Sequence, residues 1–200
     1  MSAKKRTQSE RSLVTKEKIL MASSHLIALN GFSQLRVADI AAEAGISVGA
    51  VLHHYKTKDA ILLATIEYAF SNVTHLSLRR AMKNFDGKDV WAELIDDAKE
   101  FFFSDYFFIA VNILLSSMTP SALRGEIVDI TRSARVPVED AWAKALVSKG
   151  YSEKRSAGLV AMTFSMIRGF AVRNLWDNSV GVWDEHLAMW KELVESEMKK

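Results

Sequence analysis

The 200-residue sequence contains no cysteine. This absence excludes a disulfide framework, a thiolate metal site and a cysteine nucleophile, and it fits a reducing compartment. A secretory signal is missing too, because residues 1–12 are polar and contain no apolar core segment. We therefore expect a cytoplasmic protein.

Long apolar runs are scarce. The strongest candidate for a membrane span, residues 101–118, is interrupted by Asp105 and Asn112. Its uninterrupted stretches are shorter than the roughly 20 apolar residues that a bilayer-spanning helix needs. We expect a buried helix at this place and no membrane partner.

The sequence also lacks the motifs of common enzyme classes. It has no Gly-x-Ser-x-Gly motif, no phosphate-binding glycine loop and no dinucleotide fingerprint. His53 and His54 are adjacent, so on a helix they diverge by about 100° and cannot chelate one metal. Asp96 and Asp97 diverge in the same way. We expect no enzyme, no cofactor and no metal site.

Positive charge is concentrated at the start of the chain, although the formal net charge is only +2. In residues 1–60 the basic side chains are Lys4, Lys5, Arg6, Arg11, Lys16, Lys18, Arg36, Lys56 and Lys58, against Glu10, Glu17, Asp39, Glu43 and Asp59. This asymmetry indicates a polyanion partner for the first 60 residues only. We interpret residues 1–14 as a flexible basic arm, which serves solubility alone or follows a DNA backbone.

Residues 37–58 predict a helix-turn-helix. Four apolar residues at spacing i, i+3, i+4 and i+7 define one face of a first helix: Val37, Ile40, Ala41 and Ala44. Gly45 can then supply the left-handed backbone that ends it. Ser47 is expected to cap a second helix at the backbone of Gly49 or Ala50. Two short helices with such a tight turn are typical of DNA readers.

The second helix, from about Val48 to Tyr55, is expected to bury Ile46, Val51 and Tyr55. Its outward residues are Val48, Gly49, Ala50, His53 and His54. Because the first of these are small, the helix backbone can approach base edges in the major groove. Thr57 would cap the next helix, and Lys58 at its first position is unfavourable for the helix dipole unless it meets a phosphate.

This combined pattern resembles the TetR family of transcriptional regulators over residues 15–65. The matching elements are Gly31-Phe32, Val37-x-x-Ile40-Ala41, Ala44-Gly45-Ile46-Ser47-x-Gly49 and His54-Tyr55-x-x-Lys58. The resemblance implies base or backbone contacts by Val48, Gly49, Ala50, His53 and His54, with Lys58 on a phosphate. To this DNA-binding set we add Arg36, whose charge could reach a phosphate, and Ser47. Two positions depart from the family pattern: Leu52 replaces a usual tyrosine, and Arg36 replaces a usual threonine cap.

The sequence predicts an all-α fold, since no segment alternates at period two for long enough to form a strand. We divide it into the arm (1–14), a helix-turn-helix domain (15–60) and a larger helical effector-binding and dimerisation domain (61–200). The first helix is expected at Thr15–Asn30 and a fourth at Thr57–Arg80. Pro137 should break or kink a later helix near Val136.

A ridge of small residues lies on the helix expected at Ser152–Trp176. Ala157, Ala161, Ser165 and Gly169 recur every four residues and permit close packing of another helix. That helix belongs either to the same chain or to a second copy. We favour a homodimer, which the TetR resemblance also implies, with the last helix contributing Leu187, Trp190 and Val194.

The C-terminal part is rich in aromatic and methionine side chains, which form a core or line an apolar pocket. We name as candidate effector-binding residues Trp91, Phe102, Tyr106, Asn112, Trp142, Met162, Met166 and Arg168. Asn112 and Arg168 would meet the polar end of a small apolar or aromatic effector, or else form ordinary polar contacts within the protein.

The function expected is therefore that of a ligand-responsive repressor. It would bind a palindromic double-stranded DNA operator as a homodimer and be released by a small-molecule effector, as the resemblance implies. The alternatives are a transcriptional activator and an effector-independent DNA-binding or DNA-packaging protein. The operator stays open, because the outward residues form none of the side-chain pairs that identify particular bases.

Overall fold

The computed structural model describes residues 7–87, 89–115, 121–177 and 180–196, and every regular element within these ranges is helical. The N-terminal helices are α1 (Gln8–Asn30), α2 (Val37–Ala44), α3 (Val48–His54) and α4 (Lys58–Ala81), with a 3-10 turn at Phe32–Gln34. The later helices are α5 (Val90–Phe102), α6 (Asp105–Leu115), α7 (Ser121–Ser148), α8 (Glu153–Arg173) and α9 (Val180–Ser196). The predicted all-α fold is confirmed.

Helix α1 begins earlier than the sequence pattern predicted. The Thr7 hydroxyl accepts a hydrogen bond from the backbone of Glu10, and the Glu10 carboxylate accepts one from the backbone of Thr7. This reciprocal capping box satisfies two free N–H groups and starts the helix at Gln8. The predicted start at Thr15 is therefore wrong. Lys4, Lys5 and Arg6 of the predicted arm lie outside the described residues.

The chain divides into two compact units, one formed by residues 1–70 and 109–131 and the other by residues 71–108 and 132–200. In the first unit the core includes four fully buried side chains: Ile19, Ile40, Val51 and Ile61. These come from α1, α2, α3 and α4, so each helix contributes at least one anchor. The functional boundaries predicted at residues 14 and 60 are not tested by this packing and stay predictions.

The core of the second unit is aromatic. Trp91 and Leu94 of α5, Trp142 of α7 and Phe164 of α8 are at most 1% exposed. The rings of Phe102 and Phe164 meet edge to face, with centroids 5.8 Å apart, and join α5 to α8. Burial on this scale supplies the main favourable free energy of folding.

Helix α7 runs without a break from Ser121 to Ser148 and contains Pro137. Of the predicted break or kink near Val136, the break is thus wrong. Proline removes one backbone donor from a helix. Here the buried neighbours Arg135, Val138 and Trp142 hold both sides of Pro137 in the same helix.

The predicted buried helix within residues 101–118 corresponds to the end of α5 and to α6, whose Phe107, Ile109 and Ile113 are buried. Met118 lies outside the described residues. Across the described ranges, no helix combines the length and the hydropathy that crossing a membrane requires.

Candidate functional site

Gly45 and Ser47 determine the turn between α2 and α3. Gly45 adopts the left-handed conformation, with φ 65° and ψ 38°. Its N–H donates to Ala42 and that of Ile46 donates to Ala41, which closes α2 with a Schellman pattern. The Ser47 hydroxyl then accepts a hydrogen bond from the backbone N–H of Ala50 at 3.1 Å and caps α3. The predicted helix-turn-helix geometry is therefore present.

Helix α3 has one buried anchor and an exposed outer face. Val51 is fully buried, while Val48 is 42% exposed. Gly49 and His53 are also exposed, whereas Ala50 and His54 are half-buried. Val48 and Gly49 of the first turn thus lie at the surface, as predicted, whereas Ala50 is only partly accessible. Leu52 is 40% exposed as well, so this surface includes an apolar side chain that the sequence reading had left out of the site.

Arg36 precedes α2 in extended conformation and makes no side-chain cap. Its side chain is exposed, and its predicted contact with a phosphate stays a prediction. The usual stabilisation of about 1 kcal/mol from a serine or threonine cap is therefore missing at α2. Asp39 in the first turn offsets part of this loss through the helix dipole.

Lys58 is held in place by the 3-10 turn. Its Nζ donates a hydrogen bond to the carbonyl of Ser33 at 3.4 Å and lies 4.5 Å from the centroid of the Phe32 ring. Thr57 caps α4 by accepting from Ala60, as predicted. An ammonium group carries three donors, so Lys58 keeps donors for a phosphate while the turn fixes its position.

Three basic groups lie close together on the first unit. The rings of His53 and His54 meet edge to face, with centroids 5.3 Å apart. Partial burial lowers the pKa of His54, and the charges of His53 and Lys16 lower it further. Lys16 of α1 is therefore near α3. Sequence reasoning missed it, because the relevant signal is the packing of α1 rather than the motif itself.

The candidate effector-binding residues differ in burial and in the partners of their polar atoms. Trp91 donates a hydrogen bond to the Tyr151 hydroxyl at 2.6 Å, and Trp142 donates to the Asp97 carboxylate at 2.9 Å. Both indoles are buried and have protein partners, so they serve the core. Phe102 is also buried, and the Arg168 guanidinium lies 5.0 Å from its ring centroid.

The remaining members of that set differ in burial. Tyr106 and Met166 are half-buried, whereas Met162 and Asn112 are exposed. Asn112 belongs to the first compact unit, unlike the other candidates. The assignment of this set to an effector site stays a prediction.

A buried arginine was missed by the sequence reading. Arg135 of α7 is only 7% exposed, and its guanidinium carbon lies 4.0 Å from the ring centroid of Phe101 and 5.2 Å from that of Phe164. Burial lowers the pKa of Arg135 to about 10. Its burial could have been predicted from its position in the sequence, because Arg135 lies at helical spacing from the buried residues Ile127 and Trp142 of α7.

The small-residue ridge of α8 is at the surface. Ala157, Ala161, Ser165 and Gly169 are exposed, and a side chain added at Gly169 would meet no atom within 4 Å. The ridge is thus not used for close packing within the described part of the chain.

The proposed partners of this ridge on α9 are placed differently. Leu187 and Val194 are buried within the protomer, and Trp190 donates a hydrogen bond to Thr163 of α8. These side chains therefore contribute to the protomer's own packing. The exposed apolar side chains of α9 are Val182, Met189 and Leu193.

The described residues contain no cluster of three or more metal-ligating side chains.

The sequence profile described as "Bacterial regulatory proteins, tetR family" matches residues 19–65, which include the helix-turn-helix. The HTH-type transcriptional regulator CymR of Pseudomonas putida is 38% identical over 176 residues, covering 88% of this chain and 87% of CymR.

Two solved structures share the fold. A TetR transcriptional regulator from Legionella pneumophila superposes with a TM-score of 0.69 at 12% identity, covering 96% of this chain and 99% of that one. FadR from Bacillus subtilis, solved in complex with stearoyl-CoA, gives a TM-score of 0.62 at 16% identity, covering 87% and 96% of the two chains.

The similarity to CymR covers most of the chain, whereas the profile match is confined to residues 19–65. Together with the capped turn and the exposed outer face of α3, these matches identify a non-enzymatic regulator. The chain belongs to the TetR family of transcriptional regulators.

Proposed function

We propose that this regulator is a homodimeric repressor that binds a palindromic operator and is released by a small apolar or aromatic effector. The observation that carries the proposal is the exposed first turn of α3, where Val48 and Gly49 lie at the surface while Val51 anchors the helix. A short helix fixed in this way presents small side chains to the major groove.

Phosphate contacts would orient α3 in the groove. Arg36 is exposed before α2, Lys58 is fixed at the 3-10 turn, and Lys16 lies near His54. Such contacts supply affinity and register but little sequence information. Specificity would then come from Val48, from Ala50 and the two histidines, and from the shape of the DNA.

The surface of α8 and α9 supports a two-fold dimer. The ridge that contains Ala161 and Gly169 is exposed, and Met162 of α8 and Met189 and Leu193 of α9 are each more than half exposed. Exposed large apolar side chains on these two helices support an interaction surface here. A two-fold dimer would place two copies of α3 about 34 Å apart, as successive major grooves require.

Release by an effector requires that the effector bind one conformation of the dimer more tightly than the other. A tenfold change in operator affinity corresponds to a coupling free energy of about 1.4 kcal/mol. The buried aromatic side chains of the second unit, such as Phe102 and Phe164, provide apolar surroundings for the effector.

A genome-fragment binding selection tests the proposal. The purified protein is mixed with fragmented DNA at physiological salt, and the retained DNA is sequenced. Enrichment of one short palindrome supports a dimeric operator-binding regulator. Retention of all fragments alike, with binding that collapses steeply as salt rises, would instead indicate a packaging protein.

A pair of variants gives the selection a control. His53→Glu places a carboxylate on the exposed face of α3 and should weaken operator binding by about tenfold or more through repulsion by phosphate. His75→Glu makes the same change on an exposed position of α4 and should leave binding unchanged. A reporter gene placed behind the enriched palindrome then separates repression from activation.

A further inference from the structure

The guanidinium of Arg135 is buried without a hydrogen-bond acceptor. Within the described ranges, no group accepts from its Nε, Nη1 or Nη2 atoms. A guanidinium carries five N–H donors, and leaving such donors unpaired in an apolar interior is costly. Buried polar groups in folded proteins are nearly always paired, so this arginine requires an explanation.

The Asp97 carboxylate, whose charge favours the charged form of Arg135, is already engaged. One oxygen of Asp97 accepts from Trp142 at 2.9 Å, and the other lies 3.5 Å from Nη1 of Arg80. Asp97 and Glu139 affect Arg135 only through their charge, which opposes the lowering of its pKa by burial. The charges of Asp97 and Glu139 thus offset part of the cost of burying Arg135, whereas the charge of Arg168 adds to it. No group in the described part of the chain accepts a hydrogen bond from the guanidinium.

Aromatic rings form the rest of the surroundings. The guanidinium carbon of Arg135 lies 4.0 Å, 5.2 Å and 5.7 Å from the ring centroids of Phe101, Phe164 and Phe102. The rings stabilise its positive charge through cation–π attraction. They cannot accept the directional hydrogen bonds that its N–H groups offer to a planar anion. Arg168 adds a second guanidinium, 5.0 Å from the same Phe102 ring.

From this arrangement we infer that Arg135 is the anchor for an effector that carries one carboxylate on an apolar or aromatic body. The carboxylate would accept two parallel N–H bonds from the guanidinium, and the body would pack against Phe101, Phe102 and Phe164. Arg168 is exposed to solvent, so Arg135 is the one buried cation of this cluster, and a single buried cation matches a monoanion better than a phosphate dianion. This inference rests on the proposed function, because it identifies the chemical class of the releasing ligand.

Thermal shift measurements with matched acids and amides test the anchor. The probes are benzoate, phenylacetate, 3-phenylpropanoate and octanoate, each beside its primary amide. At least one acid should raise the melting temperature of the wild type, and its amide should not. Arg135→Met should weaken binding of that acid by about tenfold or more, the effect of losing charge-assisted hydrogen bonds.

Arg132→Met is the matched control, because it removes a guanidinium from an exposed position of the same helix. Its response to the acid should equal that of the wild type. Ligand-free Arg135→Met should melt at the same temperature as the wild type or higher, since an unpaired buried cation is replaced by an apolar side chain. A markedly lower melting temperature combined with a retained acid response would overturn the inference.

Operator binding separates this inference from the proposed function. Arg135→Met should bind the selected palindrome with wild-type affinity and fail to be released by the acid. If the wild type binds the acid but no DNA, the repressor proposal fails and the anchor stands. If no acid binds, or an amide binds as well as its acid, the anchor fails. If Arg135→Met does not fold, Arg135→Lys replaces it, and its acid affinity should also fall because lysine lacks the planar fork.

Discussion

Substitution of two valines of α3 should distinguish a residue that stabilises the fold from one that contacts DNA. Val51 is fully buried, and Val48 is 42% exposed three residues earlier on the same helix. Val51→Ala removes two buried methyl groups and leaves a small cavity, which should lower the free energy of unfolding by about 2 kcal/mol. Val48→Ala removes the same groups from the surface and should change that free energy by less than about 0.5 kcal/mol.

The effects of the two substitutions on DNA binding should be the reverse of their effects on stability. Val48→Ala should reduce the preference for the selected palindrome over random DNA by about 1 kcal/mol, or roughly fivefold, since an apolar contact to a base edge is lost. Val51→Ala should retain the preference in the folded fraction. Urea unfolding gives the stabilities, and fluorescence anisotropy at fixed salt gives the affinities. Equal stability losses in both variants, or an unchanged preference in Val48→Ala, would refute this assignment of the two faces.

Three further predictions concern phosphate contact, assembly and pH. Lys58→Ala should reduce the steepness of the plot of log affinity against log salt concentration by about one unit, as measured by salt titration. An unchanged slope would show that Lys58 does not contact a phosphate. Gly169→Leu should give monomers in sedimentation, whereas Gly125→Leu, also in open space on a helix, should not; a stable Gly169→Leu dimer contradicts the α8 interface. The pKa of His54 lies below 6.5 in the free protein, and DNA phosphates should raise it. Operator affinity should therefore rise as pH falls from about 7.5 to roughly 6, and His54→Asn should flatten that titration.

The parts of the fold that the sequence predicts are those determined by local chemistry. The left-handed turn at Gly45 and the cap at Ser47 each depend on a few neighbouring residues, and both are present. The start of α1 depends equally on local chemistry, since Thr7 and Glu10 match the capping-box spacing. That signal was obscured by the basic composition of the first residues, which favoured a flexible arm.

The parts that could not be predicted depend on which helix faces meet. Leu187 and Val194 match an interface stripe as well as they match a core stripe, and only the packing of α8 and α9 places them inside the protomer. Arg135 presents the same difficulty, because an arginine on an apolar stripe ordinarily extends its charge to solvent. Its burial requires three aromatic rings from two other helices, α5 and α8.

The burial of only one residue in α3, Val51, affects how the sequence of this regulator can evolve. Only Val51 of its seven residues is fully buried, so the exposed positions Val48, Gly49, Leu52 and His53 carry little of the folding free energy. If α3 contacts the operator as proposed, substitutions there would alter the preferred operator while the fold stays intact. Duplicated copies would then acquire new target genes through a few surface mutations, without compensating changes in the interior.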